Sequence, residues 1–257
     1  MTFAEQIQSH RSIRSYTSDP VPEELVGRLL ETGIRASSSG NMQSYSVIVT
    51  RDRALRERLY EAHFQQNMVL EAPVLMTFCA DFHRMREWLQ ISDAADNFDN
   101  YMSFMVAAID AVLVAQNIAL AAEAEGLGIC YMGTTLASCR TIGELLKVPK
   151  NVIPVTSFVL GYPAEDPGLR DRLPLDGLVH QETYQAYTAD RVAEIYHDRE
   201  VAGWQRYMSF PDLKKRILES GVTNLAQVYT TVKYTRESHK RMSENLLAYL
   251  AEQDFMN

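Results

Sequence analysis

The chain has 257 residues, of which 46% are hydrophobic and 23% charged, with only 12 glycines and 9 prolines. These are globular values, which exclude a disordered, fibrous or linker-like protein; at about 150 residues per domain they leave one large domain or two small ones. The formal charge of −8 opposes nucleic acid and anionic membranes as general partners, but not a local basic patch that holds a phosphate.

Thr2 followed by Glu5 predicts a capping box and a short helix to about His10. A second helix is predicted over 22–35. Pro22 suits its first position, Glu23 and Glu24 its positive end, and Leu25, Val26, Leu29, Leu30 and Ile34 share one face. A loop of small polar residues follows at 37–41, then a strand over 45–50. Asp52 caps a helix running to about His63. The run 73–79 predicts a strand apolar enough to be buried on both faces, followed by a polar helix over 82–91.

The longest helical pattern, 97–125, is apolar nearly all round, which requires a core or an interface. Asp110, Gln116 and Asn117 within it argue against a membrane span. Gly126 is a suitable stop. A short strand is predicted over 129–132. Thr141 with Glu144 predicts a second capping box ahead of Leu145 and Leu146. An apolar strand over 155–160 ends at Gly161-Tyr162-Pro163. Beyond the turn Asp166-Pro167-Gly168, two helices are predicted at 189–207 and 222–252, with Pro211 between them. Strands among many helices, with a strandless tail, predict an α/β or α+β domain over 1–165 and a C-terminal arm over 166–257.

Cys79, Cys130 and Cys139 form no C-x-x-C pair, so they read as buried apolar side chains in a reducing compartment. Residues 1–6 carry neither a basic run nor an apolar stretch, and the chain reads as soluble and cytoplasmic. No phosphate-binding G-x-x-x-x-G-K-[ST], dinucleotide G-x-G-x-x-G, H-E-x-x-H or G-x-S-x-G is present, and the histidines lack ligand spacing. A kinase, a metal enzyme, a hydrolase with a nucleophile elbow and a conventional dinucleotide-fold dehydrogenase are all disfavoured.

One segment does concentrate chemistry. His10-Arg11-Ser12-Ile13-Arg14-Ser15-Tyr16 gathers cations and hydroxyls, the donors that a phosphate requires. The loop 37–43 supplies hydroxyl and amide groups, and Arg170-Asp171-Arg172 could close over a phosphate from another side. Taken singly, each also reads as a solvated helix end or an ordinary loop, and spacing does not establish convergence.

The opening R-S-x-R-x-[FY] pattern at 11–16 resembles the nitroreductase superfamily of flavin enzymes. The resemblance is closest to the branch of oxygen-insensitive NADPH nitroreductases and NADPH–flavin oxidoreductases. Ala36-Ser37-Ser38-Ser39, Gln43, Gln66, the run 126–133, Leu160-Gly161-Tyr162-Pro163 and the run 169–174 agree in order. The resemblance spans about residues 3–185 and is loose beyond.

It implies an α+β homodimer in which helices flank a mixed or antiparallel sheet, with a helical C-terminal arm completing the dimer and the NADPH site. FMN would lie at the subunit interface, with NADPH or NADH as electron donor. His10, Arg11, Ser12, Arg170 and Arg172 are implied around the FMN phosphate, and Arg14 at the pyrimidine edge of the ring. Ser38, Ser39, Gln43 and Gln66 are implied on the ribityl chain or ring, some from the partner subunit. Tyr131, Met132 and Gly133 would line the ring, the Gly133 amide facing N5. Arg199 and Arg206 are implied candidates for NADPH. Thr134 departs from the pattern, since a second glycine is common there; Gly40, Asn41 and Arg170 also differ from frequent residues.

No catalytic side chain is needed, because the cofactor carries the chemistry. The implied activity is ping-pong, two-electron reduction of nitroaromatics, quinones or free flavin. The alternatives are a specialised reductase, for chromate or azo compounds, and a carrier that binds FMN without turnover. The helix at 97–125 becomes a candidate dimer core, a monomer's core helix being the other reading. Between Asp212 and Arg241 the formal charge is +4, which suits either a solvated face or a 2′-phosphate dock.

Overall fold

The computed structural model describes residues 2–257. Helix α1 (Phe3–Gln8) opens with the expected capping box, Thr2 accepting from the Glu5 amide and Glu5 from that of Thr2. Helix α2 (Glu23–Gly33) follows, with Pro22 as the residue just ahead of it and not its first turn. Strand β1 (Tyr45–Thr50) leads to α3 (Arg53–Ala62), which Asp52 caps. The short α4 (Met68–Glu71) has too few residues for a periodic signal, and the sequence reading missed it. Then come β2 (Val74–Asp81), α5 (His83–Ile91), α6 (Tyr101–Ala124), β3 (Gly128–Tyr131), α7 (Cys139–Leu146) and β4 (Val152–Gly161).

The strands form one four-stranded sheet in the order β1-β2-β4-β3, and every neighbouring pair is antiparallel. β2 is buried at every position because helices cover both faces of the sheet. Successive side chains on a strand point to opposite faces. Val74, Met76, Phe78 and Ala80 accordingly join the core built on α2 and α6, while Leu75 joins the one built on α3, α4 and α7. The apolar run therefore signalled burial on both faces, not a parallel sheet. All three cysteines are free and buried.

Helix α6 is long and apolar enough to cross a membrane by composition alone. Here Ala107, Ala111, Val114 and Ile118 are spent on the core, while Met102, Ile109 and Val112 stay exposed. Gly126 ends the helix region at φ +76°, a conformation that glycine adopts without strain.

The chain divides into two compact units, residues 1–168 with 242–257, and residues 169–241. The second unit contains α8 (Ala189–Met208), α9 (Pro211–Ser220), α10 (Leu225–Gln227), a π-helical turn (Val228–Lys233) and the start of α11 (Arg236–Glu252). Ile217, Val228 and Val232 form its own small core, with Trp204 and Tyr207 packed against them.

Three further expectations need correction. Pro211 does not merely separate helices; it opens α9 in the first turn, where its missing amide costs nothing. The stretch 222–252 is not one helix: Asn224 caps α10, and the π turn and a break at 234–235 precede α11. Thr141 and Glu144 do not make a capping box, because the 3-10 turn Leu136–Ser138 runs straight into α7 and starts the helix at Cys139.

Candidate functional site

The segment 10–17 lies along the ends of β3 and β4. The Ile13 amide donates to the Ile129 carbonyl at 2.9 Å, the Thr17 amide to Tyr162 at 2.9 Å, and the Ala164 amide to Ser15 at 3.0 Å. Ile13 and Tyr16 point inward and are buried, which turns Arg14 out to solvent. The approach is close because residue 128 is glycine: a Cβ there would fall 2.5 Å from Ile13 Cγ1. The Gly-Leu-Gly run and the cationic run are thus two halves of one joint.

Acidic groups pin this segment. His10 Nδ1 lies 2.5 Å from Glu123 Oε1 on α6, and Arg11 Nη1 is 2.9 Å from Asp166 Oδ1. The Glu165 carboxylate accepts from the Arg14 and Ser15 amides at 2.5 and 3.1 Å. His10, Arg11, Glu123 and residues 126–128 line a cleft of about 210 Å³. Burial pushes the Cys130 thiol up, and its sulfur lies 3.7 Å from the Tyr131 carbonyl.

The other end of β3 carries Tyr131, Met132 and Gly133. At about 3.3 Å per residue, the four residues of β3 span roughly 13 Å between the two places. Met132 is buried in the core, its amide donating to the Ser157 carbonyl at 2.8 Å. The phenol of Tyr131, held up by burial, sits 3.5 Å from Gln116 Oε1. Gly133 is exposed, and a Cβ built on it meets nothing within 4 Å. Gln66 reaches this end, its Nε2 donating to the His63 carbonyl at 3.0 Å and to Thr134 Oγ1 at 3.4 Å.

The loop 38–43 is anchored elsewhere, on α6. Asp110, fully buried, accepts from the Ser38 hydroxyl at 2.7 Å, the Ser39 amide at 3.0 Å and the Ser44 hydroxyl at 3.4 Å. Ser38 Oγ in turn accepts from the Gln43 amide at 2.8 Å. Asn41 and Gln43 both hold positive φ, at 56° and 53°. Such strain persists only where surrounding bonds over-determine it, and Asp110 supplies them. The sequence reading used Asp110 only to argue against a membrane span. A lone acid inside an apolar helix was already the signal of a buried partner.

Arg170, Arg172, Arg199 and Arg206 belong to the second unit. Arg172 Nη1 donates to the Arg170 and Asp171 carbonyls at 3.3 and 3.1 Å. Arg199 Nη1 lies 3.0 and 2.9 Å from the two Asp171 oxygens, and its Nη2 donates to the Tyr229 hydroxyl at 2.8 Å. The guanidinium of Arg206 lies 5.3 Å from the Phe210 ring centroid.

With this geometry in hand, comparison with known proteins is informative. Residues 7–162 match the model of the nitroreductase family. Over 208 residues the chain is 34% identical to an FMN reductase (NADPH) of Bacillus subtilis, covering 79% of this chain and 82% of that one. It is 37% identical over 202 residues to the oxygen-insensitive NADPH nitroreductase of Salmonella typhimurium, covering 76% and 82%. Among solved structures, a B. subtilis nitroreductase superposes with a TM-score of 0.86 at 28% identity, covering 99% of each chain. The NADPH:FMN oxidoreductase of Vibrio harveyi, complexed with NAD+, gives 0.77 at 27% identity over 98% of each. The antiparallel sheet, the cationic segment laid on β3 and these matches agree, and the chain belongs to the nitroreductase family.

Proposed function

We propose that the chain is an FMN-dependent NAD(P)H oxidoreductase, NADPH-preferring, that reduces nitroaromatics, quinones or free flavin by two electrons. The observation that carries this reading is the joint between residues 10–17 and β3, with an open glycine at the far end of the same strand. The relatives' activities, FMN reduction and NADPH-dependent nitroreduction, agree with it.

The residues present fit FMN. A phosphate needs several converging donors, and Ser12 and Arg11, the latter released from Asp166, would supply them beside the cleft, with His10 held by Glu123. A flat ring needs a surface free of Cβ atoms, and Gly133 leaves that space open. Arg170 and Arg172 are assigned to an FMN phosphate, and Ser39, Gln43 and Gln66 to the ribityl chain or ring. Ser38 is assigned with them, its hydroxyl already shared between Asp110 and Gln43. The loop 38–43 rides on α6, which suits delivery from a partner subunit.

When bound, FMN would supply two-electron redox chemistry between NAD(P)H and the acceptor. The chain's part is binding and electrostatics. Arg14, exposed to solvent, would offer a guanidinium to the pyrimidine edge and so stabilise negative charge there. Tyr131, Met132 and Gly133 would line the ring, with the exposed Gly133 amide the group left to face it. Arg199 and Arg206 are assigned to NADPH. For Arg199 this requires the nucleotide's phosphate to displace the Asp171 carboxylate.

A homodimer is part of the reading. Met102, Met105, Ile109, Val112 and Leu113 leave an exposed apolar stripe along α6, the kind of surface that marks an interaction site. The buried free cysteines suit a reducing, cytoplasmic setting.

The test is reconstitution followed by steady-state kinetics. Purified protein given FMN should show a bound-flavin spectrum, and rates varied in NADPH and a quinone should give parallel double-reciprocal lines. No flavin uptake would end the proposal. Uptake without turnover would leave the carrier reading.

A further inference from the structure

Thr134 stands directly after the open Gly133, and its side chain is tied back into the protein. His63 Nδ1 lies 2.8 Å from Thr134 Oγ1, and Gln66 Nε2 approaches the same oxygen at 3.4 Å. His63 caps the C-terminal end of α3, where its amide donates to the Leu59 carbonyl at 2.9 Å. Its ring has no exposed surface, and Nε2 is buried without a partner.

Burying an imidazole with one nitrogen unpaired is unfavourable, whichever tautomer it adopts. An alanine or leucine there would avoid the loss. The ring's one side-chain hydrogen bond is the one to Thr134. Burial also pushes the imidazole down to about 4, so it adds no charge at neutral pH.

The same turn is fastened from inside. Thr135 is buried, its hydroxyl donates to the Met132 carbonyl at 2.9 Å, and its amide reaches that carbonyl at 3.2 Å. The Met132 amide donates to Ser157 on β4 at 2.8 Å. Residues 132–135 are thus clamped to the sheet by Thr135 and Met132, and to α3 by Thr134. Gly133 is the exposed residue between the clamps.

We propose that His63 is a positioning residue that acts through the Thr134 hydroxyl to fix the turn 132–135 and so aim the Gly133 amide. The proposal rests on the reading that FMN lies against Gly133. Hydrogen-bonding at a redox centre's edge sets its electron affinity and the geometry of transfer to it. The His63–Thr134 bond would therefore tune the cofactor without touching it.

The test uses the FMN-loaded whole chain and five variants: Thr134→Val, Thr134→Ser, His63→Leu, His63→Asn and the double variant Thr134→Val with His63→Leu. Valine keeps the shape of threonine without its hydroxyl; serine keeps the hydroxyl. Asparagine places a polar atom where Nδ1 stands; leucine does not. Three quantities are read: the midpoint potential of the bound flavin, its rate of reduction by NADPH, and the FMN dissociation constant.

Thr134→Val and His63→Leu should each shift the potential and slow reduction by about tenfold, a fraction of the hundredfold loss that a 1 Å misplacement brings. FMN affinity should stay within about twofold, since the phosphate contacts are untouched. The double variant should be no worse than the worse single one, and Thr134→Ser and His63→Asn should resemble the parent. If His63→Leu fails to fold, Thr134→Val decides alone. Parental potential and rate in Thr134→Val would overturn the proposal, as would a loss confined to FMN affinity. A parent chain that takes up no FMN would overturn it together with the reading on which it rests.

Discussion

A methyl group at residue 128 would meet Ile13 at 2.5 Å, inside any tolerable contact. Gly128→Ala should therefore push the cationic segment off β3. The expected cost is about 1–3 kcal/mol of stability, as for other overpacked sites, with weaker FMN binding; denaturant unfolding and flavin titration measure both. Arg14 and Arg172 should separate by role. Arg14→Ala should slow flavin reduction by NADPH more than it weakens FMN binding, and Arg172→Ala should do the reverse. Equal effects on affinity would count against that division. His63 makes a prediction about acid stability. Its unfolded form takes a proton near 6.5 and its folded form only near 4, so between those values the unfolded chain binds more protons. Stability is full above pH about 6.5 and falls toward pH about 4, by on the order of 3 kcal/mol from this residue. His63→Leu should flatten that part of the stability curve, and an unchanged slope would rule the explanation out. At this scale the cationic motif was legible, because its residue types are unusual together. Glu123 and Glu165 were not, and the partners of Asp110 and Thr134 were not, because they lie far away in sequence.

Helix α6 serves the core and carries the proposed dimer face. One side fills the core with small residues such as Ala107, Ala111 and Ala115, while Ile109, at 53% exposure, lies outside it. Ile109→Asp should leave the far-ultraviolet circular dichroism intact and lower the mass found by sedimentation equilibrium to that of one chain. A variant that still sediments as a dimer would move the interface elsewhere. All four strands were legible from short apolar runs, and α6 from its length. The start of α7 was misread because Thr141 and Glu144 satisfy the capping pattern while the preceding 3-10 turn sets the true boundary. The split at 222–252 was invisible because a π turn keeps helical spacing in the sequence and changes only the hydrogen-bond reach.

Across the whole chain, the acidic balance conceals a basic stretch in the second unit, where Lys214, Lys215 and Arg216 share α9. The absence of a familiar catalytic triad or metal signature follows from a reaction carried by a cofactor, and left the sequence motif at 10–16 as the main clue. Anaerobic stopped-flow mixing of FMN-loaded protein with NADPH tests that account most directly. The account predicts that the visible flavin band bleaches within milliseconds to seconds, faster with NADPH than with NADH, and returns when a quinone is added. A loaded protein whose flavin stays coloured throughout would contradict it.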